Sequence, residues 1–266
     1  MNQPTPHRPK PLQLKGRSMS ETNDLRLNRF LSRAGLGSRR GVEDLIINRR
    51  ITLNGEIVED LGRRVNPLND IVTCDGRTVS LPDQWRVFAF HKPTGVVSSL
   101  RRFGDTPCLA DVREAAGLST GMVPVGRLDV DTSGLLLWTD DGLLAEQLMR
   151  PKHRIWKHYE VTLNCPLSAE DAARLRDSVV ELDGRPCLPA KLQQRGNDNR
   201  DWDFAIREGR NRQIRRMFQE VGCRVVELRR VAVGPIQLAD LAPGEFRELT
   251  APQIETLRKA VAEAQQ

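Results

Sequence analysis

Long apolar runs are missing from this chain. The longest fall far short of the roughly 20 residues a membrane-spanning helix needs, so no segment reads as a span. Residues 1–23 lack the apolar stretch of a secretory leader, and a cytoplasmic location is the expectation. Paired cysteines are missing too. Cys74, Cys108, Cys165, Cys187 and Cys223 are odd in number, scattered, and include no CxxC pair. That excludes a disulfide framework and a zinc site, and leaves buried thiols in a reducing compartment. Histidine is sparse, and His7, His91, His153 and His158 form no triad with a serine, so hydrolase chemistry finds no support. Aromatics make up 5% of residues and hydrophobics 39%, enough for a core but not an aromatic-rich one. No internal repeat is visible.

What is present is positive charge, unevenly spread. The formal net charge is +6, a balance that suggests a polyanionic partner without proving one. The first 23 residues hold Pro4, Pro6, Pro9 and Pro11 among His7, Arg8, Lys10, Lys15 and Arg17, and read as a disordered basic tail. From Arg26 to Arg50 there are seven arginines (26, 29, 33, 39, 40, 49 and 50) and no lysine. A solvated helix face would mix Lys with Glu. An arginine face suits phosphates, because guanidinium forks make bidentate charge-assisted bonds.

The same segment reads as a compact module. Asp24 is the expected N-cap of a helix whose apolar face is Leu27, Phe30, Leu31 and Ala34, closed by Gly35. Ser38 is expected to cap a second helix with Val42, Leu45 and Ile46 inside. Ile51–Leu53, the Asn54-Gly55 turn and Glu56–Val58 form a hairpin signal, and a second hairpin is expected around Asp75-Gly76. The pattern RLNRFLSRAGLGSRRGVEDLI followed by RITLNGEIV resembles an S4 RNA-binding domain, over residues 24 to about 80. Gly41 departs from the helix former expected after Ser-Arg-Arg.

Beyond Trp85 the texture changes to longer strands separated by helices. Val87–His91 reads as a strand leading into KPTGVVSS. Leu143–Met149 reads as a helix stopped by Pro151. Tyr159, Val161 and Leu163 alternate on one strand, and Trp202, Phe204 and Ile206 on another. Ser168 and Asp171 open a helix as a capping-box variant. Ile214, Met217, Phe218 and Val221 define a further helix ended by Gly222. The absence of a regular βαβ repeat predicts an α+β fold.

Residues 126–142, GRLDVDTSGLLLWTDDG, carry the most specific signal, and three readings compete for it. Asp129, Asp131, Ser133, Gly134, Leu136 and Asp140 fall at positions 1, 3, 5, 6, 8 and 12 of a calcium loop. However, Gly121, Pro124 and Gly126 forbid the preceding helix, and position 12 lacks its glutamate. An aspartyl phosphotransferase would want Thr where Ser133 stands, and a hydrophobic run before Asp129. The third reading is a family resemblance. GRLD followed by DTSGLLLWTDDG resembles the signature of pseudouridine synthases of the RsuA/RluB type.

That resemblance implies the site. Making pseudouridine means breaking the N-glycosidic bond, rotating the uracil and rejoining it through C5. A carboxylate can serve by attacking sugar or base or by assisting removal of a sugar proton, and no route needs a metal or organic cofactor. The resemblance gives that role to Asp129. It pairs Asp129 with Arg215, the arginine of Gln-Ile-Arg in EGRNRQIRRMF, with Arg210 as second choice, and leaves Arg212 and Arg216 to phosphates. It matches the only tyrosine, Tyr159, to a Lys-x-Tyr-x-Val motif in which Tyr159 stacks the flipped uracil and Lys157 supports a phosphate or the pocket. Arg127 is expected to fill the gap left by the base. Lys92 and Pro93 are expected to shape the pocket wall, and Asp131, Thr132 and Ser133 to hydrogen-bond the turn. Arg26, Arg29, Arg39 and Arg40 are the expected phosphate contacts of the amino-terminal module.

The expectation is thus a two-domain RNA-modifying enzyme. It has a tail (1–23), an S4-like domain of helices and hairpins (24–84), a catalytic domain with a mixed, largely antiparallel sheet flanked by helices (85–250), and a carboxy-terminal helix (251–266). It is expected to act as a monomer on ribosomal RNA, large-subunit RNA by preference. A non-catalytic RNA-binding or ribosome-assembly factor on the same fold would be expected to lose Asp129, Tyr159 or Arg215, and all three are present.

Overall fold

The computed structural model describes residues 24–264 apart from 83, 103, 151 and 152. The expected basic tail and the expected helix stop at Pro151 lie outside the described residues. The amino-terminal unit runs β1 (Leu25–Arg26), α1 (Leu27–Arg33), α2 (Gly41–Ile47), β2 (Ile51–Leu53), β3 (Glu56–Ile57), β4 (Arg64–Val65), β5 (Val72–Cys74) and β6 (Arg77–Val79). The larger unit begins β7 (Val87–Lys92), α3 (Leu109–Ala115), β8 (Val123–Pro124), β9 (Ser133–Thr139), α4 (Gly142–Met149), β10 (Lys157–Leu163) and α5 (Ala169–Arg176). It continues β11 (Glu181–Leu182), β12 (Arg185–Pro186), β13 (Lys191–Arg195), β14 (Asp201–Ile206), α6 (Gln213–Glu220), β15 (Val225–Val233), β16 (Ile236–Gln237), β17 (Phe246–Glu248) and α7 (Ala251–Glu263).

The small unit closes around Leu27, Phe30 and Leu31 of α1, Val42 and Ile46 of α2, and Ile51, Val65 and Val72 of the strands. Both expected hairpins form, with Leu53 opposite Glu56 and Cys74 opposite Arg77. Asp24 is not the cap of α1. Leu25 and Arg26 pair with Val65 and Arg64 instead, so the helix starts at Leu27 from Arg26, which makes no side-chain cap bond. The N-cap of α2 is Arg40, which makes no side-chain cap bond, and not Ser38, whose Oγ accepts from Gly41 N at 3.1 Å from two residues before it.

The large unit is built on a nine-stranded sheet whose main path is β13-β14-β10-β15-β9-β7-β17. All its described pairings are antiparallel except β15 with β9. Strand β9 is buried on both faces. Leu136 and Trp138 point to a cluster covered by α3, α5 and α6, while Leu135 and Leu137 point to one covered by α4 and α7. Period-two alternation with a core on each side explains why LLLWT reads as a continuous apolar run. The parallel pair needs Gly134. Its φ is +108°, and a Cβ there would sit 2.2 Å from the carbonyl oxygen of Arg230, so a side chain would force β15 away.

The two units meet along α4. Arg29 Nη2 lies 3.0 Å from Glu146 Oε2, and Arg33 Nη2 lies 3.7 Å from Asp141 Oδ1 with its guanidinium over the Trp85 ring. Asp141 also accepts from Leu143 N and Leu144 N as the N-cap of α4, and from Arg258 Nη2 of α7 at 2.8 Å.

Candidate active site

The segment from Gly126 to Thr132 is a turn feeding β9, and the loop after β7 holds it from beneath. Gly95 N donates to Val130 O at 2.8 Å, and Ser98 Oγ donates to Leu128 O at 2.6 Å. Thr132 N donates to Asp129 O at 3.1 Å and closes the turn. Lys92 is the centre of this arrangement. It is fully buried, and its Nζ donates to the carbonyls of Pro93 (2.9 Å), Asp129 (3.1 Å) and Thr132 (3.1 Å). Burial brings its ammonium down to about 8 from the ordinary lysine value, against the pull of the Asp129 and Asp131 carboxylates. Lys92 is thus not among the residues lining the pocket whose wall it was expected to shape. Its donors are satisfied inside the turn, where it fixes the backbone that carries Asp129.

The geometry also disposes of the calcium loop. Ser133–Thr139 form a strand, and Asp140 lies past its far end, accepting from Arg86 N at 2.8 Å. Seven residues of strand put roughly 23 Å between its ends, so Asp129 and Asp140 share no site.

Beside the turn opens a cavity of about 460 Å³, lined by Arg127, Asp129, Lys157, Tyr159, Arg212, Arg215 and Arg230 among others. Tyr159 is 7% exposed and makes no hydrogen bond through its hydroxyl among the described residues. It faces Arg230 across the β10–β15 pair. Arg127 is exposed at the rim with no partner among the described residues.

The pairing of the arginines differs from the expected one. The cation within ion-pair distance of Asp129 is Arg212, whose Nη1 lies 3.8 Å from Oδ2. Arg215 goes to the neighbouring aspartate instead. Its Nε lies 3.3 Å from Asp131 Oδ2 as an ion pair, while Nη2 donates to Asp131 O and Nη1 to Val225 O. Arg212 also grips Asp131 with both terminal nitrogens, at 3.2 and 2.9 Å, and this bond holds the Asp131 carboxyl below its usual range. The physical reason is backbone geometry. Arg212 precedes α6 in a left-handed conformation with φ +46°. Arg215, one turn into α6, is half-enclosed and its guanidinium is stretched between two carbonyls. Asp131 is thus an anchor for two arginines rather than a turn-former alone.

Two other cations are structural. Arg210 donates to the carbonyls of Leu182, Arg185 and Pro186 and pairs with Glu208, so it secures the β11–β12 hairpin and is not a partner for Asp129. Arg216 forks onto Asp183 at 2.6 and 3.0 Å, outside the cavity that Asp129 lines. In the small unit, Arg29 is engaged with Glu146, Arg49 with Glu59 and Arg50 with Asp75. Arg26, Arg39 and Arg40 are exposed and carry no partner among the described residues.

Arg230 was not anticipated. It is 4% exposed, and its Nε donates to Leu135 O at 2.7 Å. The signal existed: it stands between Leu228 and Ala232 on the buried face of an alternating strand, where a charge is anomalous. Lys157 shares the wall, and burial together with nearby Arg230 brings its ammonium down to about 8.

Residues 86–220 match the family model of RNA pseudouridylate synthase, and residues 25–72 match the S4 domain. Over 245 residues the chain is 35% identical to an uncharacterized RNA pseudouridine synthase of Aquifex aeolicus (strain VF5), covering 90% of this chain and 95% of that protein. It is 33% identical over 237 residues to ribosomal large subunit pseudouridine synthase B of Bacillus subtilis (strain 168), covering 88% and 95%. A crystal structure of a pseudouridylate synthase aligns with a TM-score of 0.62 at 32% identity, over 88% of this chain and 99% of the other.

Proposed function

Because the chain belongs to the RNA pseudouridylate synthase family, we propose that it isomerises a uridine of large-subunit ribosomal RNA to pseudouridine, with Asp129 as the catalytic carboxylate. The observation that carries this reading is the shared cavity. Asp129 and Tyr159 line one recess of about 460 Å³, a size within the usual range for small-molecule sites. The Tyr159 ring offers a face for a flipped base, and its hydroxyl has no partner among the described residues. Of the two acids that line the recess, Glu208 is engaged by Leu188 N, Arg210 Nε and Gln213 Nε2, and the Asp129 carboxylate, with Arg212 beside it, is left to act at C1′ or on the base. Arg127 at the rim is positioned to fill the gap the base leaves.

Residues 24–84 would bind RNA, with Arg26, Arg39 and Arg40 on phosphates, and 85–250 would carry the chemistry, stiffened by the helix in 251–266. We further propose a monomer acting in the cytoplasm without metal or organic cofactor. Among the described residues no helix is long and apolar enough to cross a membrane. The choice of large-subunit RNA leans on the printed name of the Bacillus relative.

The test is Asp129→Asn, which keeps size and removes the charge. The expected result is no pseudouridine above background in transcribed large-subunit RNA, with RNA binding retained. Product at the wild-type rate would remove Asp129 from its role. Mapping pseudouridines in cells with and without the gene checks the target; a vanished site in small-subunit or transfer RNA would overturn the large-subunit assignment.

A further inference from the structure

Two cations on the cavity wall form no ion pair with a carboxylate among the described residues. Lys157 of β10 and Arg230 of β15 both line the recess, on strands whose register sets Tyr159 opposite Arg230. Arg230 uses only Nε, on Leu135 O; its terminal nitrogens donate to nothing among the described residues. The Lys157 ammonium has a single long contact, 3.3 Å to Ile155 O. The acid nearest in this wall, Glu208, is engaged by Leu188 N, Arg210 Nε and Gln213 Nε2. The charged groups acting on Lys157 are Arg230, which disfavours its protonation, and Glu208, which favours it. Buried cations are ordinarily paired, and these two are not: the other carboxylate of the recess, Asp129, has Arg212 beside it.

The proposed reaction generates one. When C1′–N1 breaks with the electron pair left on N1, the Asp129 carboxylate takes up C1′ as an ester, and the uracil becomes a monoanion whose charge spreads to O2 and O4. When C5 then attacks C1′, the ester C–O bond breaks and returns the Asp129 carboxylate, the C5 proton leaves with its bonding pair restored to the ring, N1 takes up a proton, and the base is neutral again.

We propose that Lys157 and Arg230 form an anion clamp that holds the detached uracil by its carbonyl oxygens while it turns from N1 to C5. The clamp rests on the function proposed above. A flanking phosphate is the competing source of negative charge, but the exposed Arg127 and Arg154 at the rim suit it better than a wall residue that is 4% exposed.

Lys157→Met, Lys157→Arg and Arg230→Met distinguish these possibilities in single-turnover assays on wild-type substrate RNA, with Kd measured in parallel and folding checked by thermal unfolding. The Met variants are expected to react about 100-fold more slowly, as removal of one preorganised donor does elsewhere, with Kd changed by less than about threefold. Wild-type rates should fall above pH about 8 as Lys157 loses its proton; Lys157→Arg should fall less steeply, keeping only the part that Lys92, also at about 8, contributes. Rate and Kd worsening together would overturn the clamp in favour of a phosphate contact. Should Arg230→Met fail to fold, Lys157→Met decides alone, since it removes one carbonyl contact. A wild type that makes no pseudouridine overturns the clamp and the function together; equal rates in wild type and Lys157→Met overturn the clamp only.

Discussion

Replacing Lys92 by methionine tests whether a buried ammonium organises the catalytic turn. The substitution keeps the length of the side chain and deletes three charge-assisted bonds, to Pro93 O, Asp129 O and Thr132 O. Such bonds contribute about 1.5–3 kcal/mol each. Against them stands the penalty of burying the charge, which brings the ammonium from 10.5 to about 8, worth about 3 kcal/mol. Methionine fills most of the vacated volume, so the hydrophobic contribution nearly cancels. The net loss is then about 2–6 kcal/mol, read as a lower urea midpoint at pH 7 with an unchanged m-value. The folded fraction should also be slower, on the order of 10²-fold, because the carbonyl of Asp129 has lost its tether. Stability within about 0.5 kcal/mol of wild type together with an unchanged rate would refute the reasoning. The three carbonyls would then have found other donors, and Lys92 would be a passive filler.

Three further outcomes are expected. Gly134→Ala forces a Cβ to 2.2 Å from Arg230 O at a φ of +108°, and should lower stability by more than about 3 kcal/mol in urea unfolding. Arg39→Ala with Arg40→Ala should weaken binding to any RNA of the right shape and reduce the slope of log Kd against log salt by about 2. Arg29→Ala, already engaged with Glu146, should leave that slope unchanged. Finally, Lys157 in the fold sits at about 8 against 10.5 for an ordinary lysine. Between those values the unfolded chain binds more protons, so the difference in stability between wild type and Lys157→Met should move toward wild type as pH rises from 8 to 10.5.

Local chemistry made much of the fold legible. Asn54-Gly55 announces its hairpin, Tyr159, Val161 and Leu163 announce a strand, and Ser168 announces its helix because each signal acts within a few residues. The α1 cap failed because a tertiary pairing, Leu25–Arg26 with Arg64–Val65, took the segment Asp24 was expected to control. At the site, residue types were readable but partners were not. Arg212 and Arg215 sit three positions apart, and only the left-handed φ of Arg212 and the placement of α6 decide which meets Asp129. Lys92 reads as part of the pocket wall until the loop that buries it is folded, and Arg230 enters the site from a strand about 100 residues beyond Asp129 in the chain.

Asp141 and the turn at Asp129 stand at opposite ends of β9, one tied to Arg33 and Arg258, the other to Lys92. On the proposed function, the distance between the phosphates held by Arg39 and Arg40 and the sugar presented to Asp129 is set when the chain folds. Such an enzyme selects its uridine as a gauge does, by span. An RNA with the right bases but a stem one base pair too long would be gripped and left unmodified.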